Sequence, residues 1–342
     1  MGGGQLGRMT SLAASKMGYR THIFAERHDD PAVFVTNSST IGSFYDHDKL
    51  SDFASAVDLS VIEFENIPTS AVDVVSAKIP VYPGKKALYI AQNRIREKQH
   101  IRNLGMQVAD FAVANSYREL LHNIESIGYP CLLKTTEFGY DGRGQYVMKN
   151  SNDVTKAADL NWDQGHVLEK FVDIREEISV IVAMDANGSH ELFPIARNYH
   201  VGGTLDESIV PAEVTHSISK KAAETAIAIA TSLNIVGILA VEFFITTCGL
   251  LLVNEIAPRP HNSGHWSLDA CNVSQFEQLI RAVCGLPLRE VRLLAPCVMK
   301  NVFGDTSSVY QTYAHPHNSI SIYGKQEPRQ HRKMGHVNVL KY

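Results

Sequence analysis

Apolar residues over the first ninety positions come in short runs set between helix-length amphipathic stretches, the alternation that builds an α/β layer. The pattern predicts a Gly-rich turn and helix ending near Met17, a strand over 21–26 and another over 61–65. A helix follows over 83–104, carrying Arg94, Arg96 and Lys98 among apolar residues, and marks a domain boundary. Strands and helices resume near Phe111 and Ser116. Residues 130–134 form an apolar strand ending in Lys134, 166–172 alternate as a half-buried strand, and 177–184 make a longer one. The stretch 226–245 has the length of a membrane span, but Asn234, Gly237 and Glu242 interrupt it and its period changes midway. It reads as a helix followed by a strand. That strand opens a hairpin, 237–245 against 250–256, and strands over 298–303 and 319–323 complete the pattern.

Composition narrows the class. With 342 residues, 44% hydrophobic and 20% charged, the chain supports two or three domains with real cores. A net charge of -4 gives no field to attract nucleic acid or an anionic membrane, which points to a small-molecule partner. Cysteines 131, 248, 271, 284 and 297 show no C-x-x-C spacing and sit among apolar neighbours, as reduced packing thiols of a cytoplasmic protein do. The first residues, opening with glycines, carry no signal-peptide pattern.

Four segments carry chemistry. Lys134 leaves its strand into a loop with Gly139, Gly142, Gly144 and Arg143, where backbone N–H groups can turn toward phosphate oxygens. The lysine precedes the glycines, so this is not a Walker P-loop, and an ordinary Gly-rich hairpin is the competing reading. Gly2, Gly4 and Gly7 satisfy G-x-G-x-x-G, with Glu26 at the end of the next strand. The strand that should precede them is missing, so a mononucleotide or sugar phosphate at the helix N-terminus suits them as well as a dinucleotide.

Glu242 and Glu255 interrupt apolar strands of one hairpin. A two-residue loop near Thr247 and Cys248 would set Glu242 opposite Val253, with Glu255 two residues along on the same face. At about 6 Å and an effective dielectric of about 20, the two charges repel by roughly 2–3 kcal/mol. Two carboxylates and the Asn254 carbonyl suit Mg²⁺, and a salt-bridged or protonated glutamate is the alternative. The following loop holds His261 and His265 at i, i+4, but Pro258, Pro260 and Gly264 oppose a helix, so it reads as a substrate loop and not a zinc site. The cluster Lys325, Arg329, Arg332, Lys333 and His336 is either a solvated face or a phosphate site.

Read together, GGGQLGRM at 2–9, EFEN at 63–66, GYDGRGQ at 139–145, NEIAPRPHNSGHW at 254–266 and HRKMGHVN at 331–338 resemble the 5-(carboxyamino)imidazole ribonucleotide synthetase family of ATP-grasp enzymes. The resemblance covers nearly the whole chain. It implies a mixed α/β and α+β fold in three parts: a Rossmann-like pre-ATP-grasp domain over 1–93 lacking its first strand, an ATP-grasp domain over 94–285 with a central lid at 108–172, and a small β-rich C-terminal domain over 286–342.

By matching motif positions, ATP would meet Arg94, Lys134, Gly139, Tyr140, Asp141, Gly142, Arg143, Gly144, Gln145, Glu169, Lys170, Phe171, Val172, Glu177, His200, Asn254 and Glu255. Mg²⁺ would lie on Glu242 and Glu255. The ribonucleotide would meet Gln5, Glu65, Arg259, His261, Asn262, Ser263, Lys325, Arg332 and Lys333, with Asp141, Lys325 and Arg332 in catalytic roles. The implied activity is that of an ATP-dependent carbon–nitrogen ligase of purine (IMP) biosynthesis. Bicarbonate and 5-aminoimidazole ribonucleotide would be joined through carboxyphosphate in a cytoplasmic homodimer. A formate-dependent glycinamide ribonucleotide transformylase and a noncatalytic nucleotide-binding module are the alternatives. A nicotinamide oxidoreductase would use only the N-terminal glycines and Glu26.

Overall fold

Two small parallel strand pairs open the computed structural model, which describes residues 1–137 and 144–341. Helix α1 (Gln5–Lys16) buries Leu6, Met9 and Ala14. Strand β1 (His22–Ala25) pairs with β2 (Ser38–Ile41). Helix α2 (His47–Ser55), capped by the Asp46 carboxylate, leads to β3 (Ser60–Val61), and α3 (Thr69–Ser76) leads to β4 (Val81–Tyr82), which pairs with β3. The strand expected over 61–65 is therefore much shorter. Met1 and Gly2 stand where a first strand would lie, since Gly2 N donates to Phe24 O at 2.9 Å and Glu63 N donates to Met1 O at 3.1 Å.

The single helix expected over 83–104 is two, α4 (Lys85–Ala91) and α5 (Arg94–Asn103). Asn93 makes the break: its side-chain oxygen accepts from Ile95 N and Arg96 N and so starts a new helix. Gln92 fixes the junction by donating to Glu65 O and Ile67 O.

A four-stranded antiparallel sheet follows. It comprises β5 (Phe111–Ala114), β6 (Cys131–Thr135), β7 (Gln145–Met148) and β8 (His166–Lys170) in the order β5-β8-β6-β7, with α6 (Tyr117–Ile127) and α7 (Ser151–Val154) packed on it. Strand β8 is not half-buried as its alternation suggests. Its first four residues are buried, because charged groups from elsewhere neutralise Glu169.

The rest of the chain builds one nine-stranded sheet. Its first strands are β9 (Ile174–Met184), β10 (His190–Leu192), β11 (Ala196–Val201) and β12 (Thr204–Val210). Helix α8 (His216–Ser232) precedes the hairpin of β13 (Gly237–Thr246) and β14 (Leu251–Ala257), so 226–245 is a helix and a strand. Helices α9 (Ser267–Ala270) and α10 (Gln275–Val283) are followed by β15 (Cys297–Phe303), α11 (Val309–Thr312), β16 (Asn318–Ile322) and β17 (Lys333–Leu340). The order is β14-β13-β9-β11-β12-β15-β17-β16, with β10 on β9.

Strand β13 is buried on both faces, which accounts for the apolar run 238–241 ahead of Glu242. Leu239 and Val241 meet Ala226 and Ile229 of α8 on one side, and Ile238 and Ala240 meet Trp266 and Leu279 on the other. Each of the larger aliphatic side chains, Ile238, Leu239 and Val241, contributes about 1.5–3 kcal/mol by leaving water. No helix among the described residues is long and apolar enough to cross a membrane, and all five cysteines are free thiols.

Candidate functional site

Glycines 2–4, the lid sheet, the carboxylate hairpin and the 325–333 segment surround one cleft of about 1310 Å³. Of the residues singled out from sequence, Gln5, Glu65, Arg94, Lys134, Gln145, Glu169, Lys170, Phe171, Val172, Glu177, His200, Glu242, Asn254, Glu255, Arg259, His261, Asn262, Lys325, Arg332 and Lys333 all line it. Gly139, Tyr140, Asp141, Gly142 and Arg143 lie outside the described residues. Gly144 has φ +69°, and a side chain there would come within 2.6 Å of Thr135 Oγ1. Ser263 is fully buried beneath the wall, bonded to Ser179 and His261, so the structure removes it from the cleft surface.

Strand β6 delivers Lys134 to the cleft, but its ammonium is held at 2.9 Å by Glu169 Oε2. The other oxygen, Oε1, faces Lys98 at 3.2 Å. Burial alone would raise the Glu169 pKa, yet Lys98 and Lys134 outweigh it and hold the carboxyl at about 2. The Lys134 ammonium is lowered by burial. At the rim, Glu177 Oε2 and His200 Nδ1 pair at 2.8 Å.

The hairpin register differs from the sequence expectation. Its loop spans four residues, 247–250, and a bulge between Glu242 and Phe243 sets Glu242 directly opposite Glu255. Asn254 is the extra residue, so Asn254 and Glu255, consecutive in the chain, both line the cleft. Arg94 Nη1 lies 3.5 Å from Glu255 Oε2. His261 Nε2 lies 3.5 Å from Glu242 Oε1, but burial and then Arg259 hold the imidazole at about 3, so it is neutral at pH 7. Burial, then Glu255, pushes the Glu242 carboxyl well above the usual range. The raised Glu242 pKa reports two opposed carboxyls that cannot both ionise easily side by side, an arrangement that a hard divalent cation would relieve by letting both carry charge. Among the described residues no three of His, Cys, Asp and Glu gather as a cage. Such a cation would complete its shell with water and phosphate oxygens, as Mg²⁺ does.

The N-terminal glycines hold an anion, but it is the protein's own. Gly4 N and Gly7 N each donate to the Glu63 carboxylate at 2.7 Å. A Cβ on Gly2 would sit 2.5 Å from Glu63 Cγ, and Gly2 has φ +103°. The expectation of a ligand phosphate is corrected for Gly4 N and Gly7 N, which Glu63 occupies, and the dinucleotide reading loses that part of its cradle.

Glu65 forms a bidentate pair with Arg259, including Arg259 Nη2 donating to Oε1 at 2.7 Å. Burial would raise the Glu65 pKa, but Arg259 brings it below the usual range. Asn262 exchanges two amide hydrogen bonds with Asn301, at 2.8 and 3.0 Å. Lys325 Nζ donates to Lys333 O at 2.8 Å, and Arg332 Nη1 donates to Gln326 O at 2.5 Å. His336 leaves the expected basic cluster. It is fully buried, bonded to Tyr323 at 2.9 Å, and held at about 3 by burial. Sequence reading missed Glu63, Glu97 and Lys98 as site members. The signal for the last two was present, since they follow Arg94 at i+3 and i+4 on the face that also buries Ile101.

Comparison with known proteins bears on the whole chain. The family model of the ATP-grasp domain matches residues 99–276. The ribonucleotide synthetase preATP-grasp domain matches 1–92, and the phosphoribosylaminoimidazole carboxylase C-terminal domain matches 297–342. The chain is 41% identical to the N5-carboxyaminoimidazole ribonucleotide synthase of Bacillus subtilis, covering 100% of this chain and 90% of that protein. The Staphylococcus aureus N5-carboxyaminoimidazole synthetase, solved with ADP, superposes with a TM-score of 0.95 at 35% identity, over 99% of this chain and 92% of that one. The Aspergillus clavatus N5-carboxyaminoimidazole synthase, solved with ADP and 5-aminoimidazole ribonucleotide, superposes with a TM-score of 0.91 at 28% identity, over 100% and 92%.

Proposed function

The chain belongs to the N5-carboxyaminoimidazole ribonucleotide synthase family of ATP-grasp enzymes, and from that premise we propose that it carboxylates 5-aminoimidazole ribonucleotide with bicarbonate at the expense of ATP. The products are N5-carboxyaminoimidazole ribonucleotide, ADP and phosphate. The observation that carries this reading is the convergence of Lys134, the Glu242–Glu255 pair and the Glu65–Arg259 pair on one cleft.

In this reading ATP lies between the lid sheet and the large sheet. Lys134 turns from Glu169 to a phosphate oxygen, while Lys98 keeps the buried Glu169 paired. Mg²⁺, held by Glu242 and Glu255, would neutralise charge on the transferring phosphoryl group. Arg259 is fixed by Glu65 and presents a rigid guanidinium beside neutral His261 and amide-paired Asn262. That set suits a planar oxyanion such as bicarbonate or the carboxyl of carboxyphosphate. Lys325, Arg332 and Lys333 form the cationic end for the ribonucleotide phosphate, and Asp141 helps position the reacting groups. The work is positioning and charge stabilisation without a covalent enzyme intermediate.

The proposal extends to domains at 1–93, 94–285 and 286–342, to a cytoplasmic location and to a homodimer. The test is ADP release from ATP, Mg²⁺ and bicarbonate with and without 5-aminoimidazole ribonucleotide, beside a control with glycinamide ribonucleotide and formate. Strong stimulation by the aminoimidazole alone is expected; stimulation by the control pair alone would overturn the assignment. Glu255→Gln is expected to lower turnover by about a hundredfold or more with unchanged thermal unfolding.

A further inference from the structure

Strand β14, which carries Glu255, is an edge of the nine-stranded sheet, so its outward N–H groups have no neighbouring strand of that sheet. Val253 N donates instead to Gln107 O at 2.8 Å. In an unbroken strand the next outward donor would be residue 255, because bonding direction alternates by two. The bulge adds one residue, and the outward donor becomes Ile256, whose N–H is accepted by Glu97 Oε1 at 2.5 Å. Glu97 is 3% exposed and lies on α5, three residues beyond Arg94, which faces Glu255 itself. Its neighbour Lys98 faces the opposite way, to Glu169 in β8.

We infer that Glu97 is a positioning residue for the metal site: by accepting the displaced Ile256 N–H it holds the bulge that turns both Asn254 and Glu255 into the cleft opposite Glu242. It acts through the backbone and is not itself a ligand. Without an acceptor there, the edge strand can relax to regular pairing, which sends one of two consecutive side chains to the other face. This inference rests on the metal assignment proposed above.

Two variants separate the pin from a mere charge. Glu97→Asp keeps the carboxylate but retracts it from Ile256 N, whereas Glu97→Gln keeps an acceptor oxygen at full reach and removes the charge. Mn²⁺ binding to the ADP-loaded protein, read by electron paramagnetic resonance, should weaken about tenfold in Glu97→Asp and stay near wild type in Glu97→Gln. ADP affinity measured in chelator should be unchanged in both. Hydrogen exchange at the Ile256 amide reads the pin directly and should quicken only in Glu97→Asp. Unchanged Mn²⁺ affinity and exchange in Glu97→Asp, or equal losses in Glu97→Gln, would overturn the inference. Absence of Mn²⁺ binding in the wild type would refute the metal assignment, while the exchange rates would still decide whether Glu97 holds the bulge.

Discussion

The glycine turn at residues 2–7 and the lysine of the lid sheet both look, in sequence, like places for a ligand's phosphate, and in both a glutamate of the chain already sits there. The two arrangements differ in what holds the glutamate. Glu63 is gripped by two backbone N–H groups, in a turn where a Cβ on Gly2 or Gly4 would come within 2.9 Å of it. Main-chain donors cannot swing away, so this is a permanent helix cap. Glu169 is held by two side chains, Lys134 on the cleft and Lys98 behind it. One partner can leave without stranding a buried charge. An anion site that must exchange is built from paired lysines, and one that must not is built from backbone.

The largest break in that comparison is Lys134→Met. Glu169 keeps Lys98, so the fold is expected to survive, while turnover falls by about a hundredfold or more through loss of the phosphate contact. Steady-state rates beside a thermal melt check both halves. Lys98→Met is expected to act less and differently. With one lysine left, moving Lys134 to a phosphate would leave Glu169 uncompensated, so KM for ATP should rise about tenfold while KM for the ribonucleotide holds. An unchanged KM for ATP would mean that Glu169 does not restrain Lys134. Glu63→Gln should do the reverse at smaller scale. One N–H then faces an amide NH₂, which costs about 1–2 kcal/mol of stability and raises KM for the ribonucleotide about threefold, with ATP unaffected.

What the sequence revealed follows from the reach of pattern. Lys134 at a strand end and two glutamates in one apolar hairpin are local statements, and each placed its residues on the cleft. The hairpin register was not local enough. A loop of four residues in place of two, and a bulge with no glycine or proline to announce it, moved Glu255 opposite Glu242. Glu63 stayed hidden because its partners are 59 and 56 residues away and the glycines match a phosphate motif equally well. Lys98 and Glu97 stayed hidden because charged residues on a helix ordinarily face water. Here both are buried, since α5 lies between the lid and the edge of the large sheet. His336 was misread for the opposite reason: it sits in a basic run, but β17 lies between β15 and β16 and is buried on both faces over 334–338.

The smallest effect tests the paired-lysine site through pH. In the folded chain Glu169 is held at about 2, against an ordinary 4.5, so folding favours its ionised form. The stabilisation is complete above about 4.5 and is lost progressively as pH falls toward 2, where the folded protein also takes up the proton. Glu169→Gln lacks this group and leaves two buried lysines facing an amide. The stability gap between wild type and Glu169→Gln, measured by urea unfolding at several pH values, is therefore expected to be constant from pH 7 to 5 and to narrow below that. The Glu63→Gln gap should not narrow on acidification, because burial raises the Glu63 pKa despite the Gly4 and Gly7 donors, and a group whose folded pKa is raised keeps its contribution as pH falls. A Glu169 gap that stayed flat down to pH 3 would mean that the two lysines do not hold the carboxylate ionised, and the distinction between an exchangeable and a permanent anion site would fall.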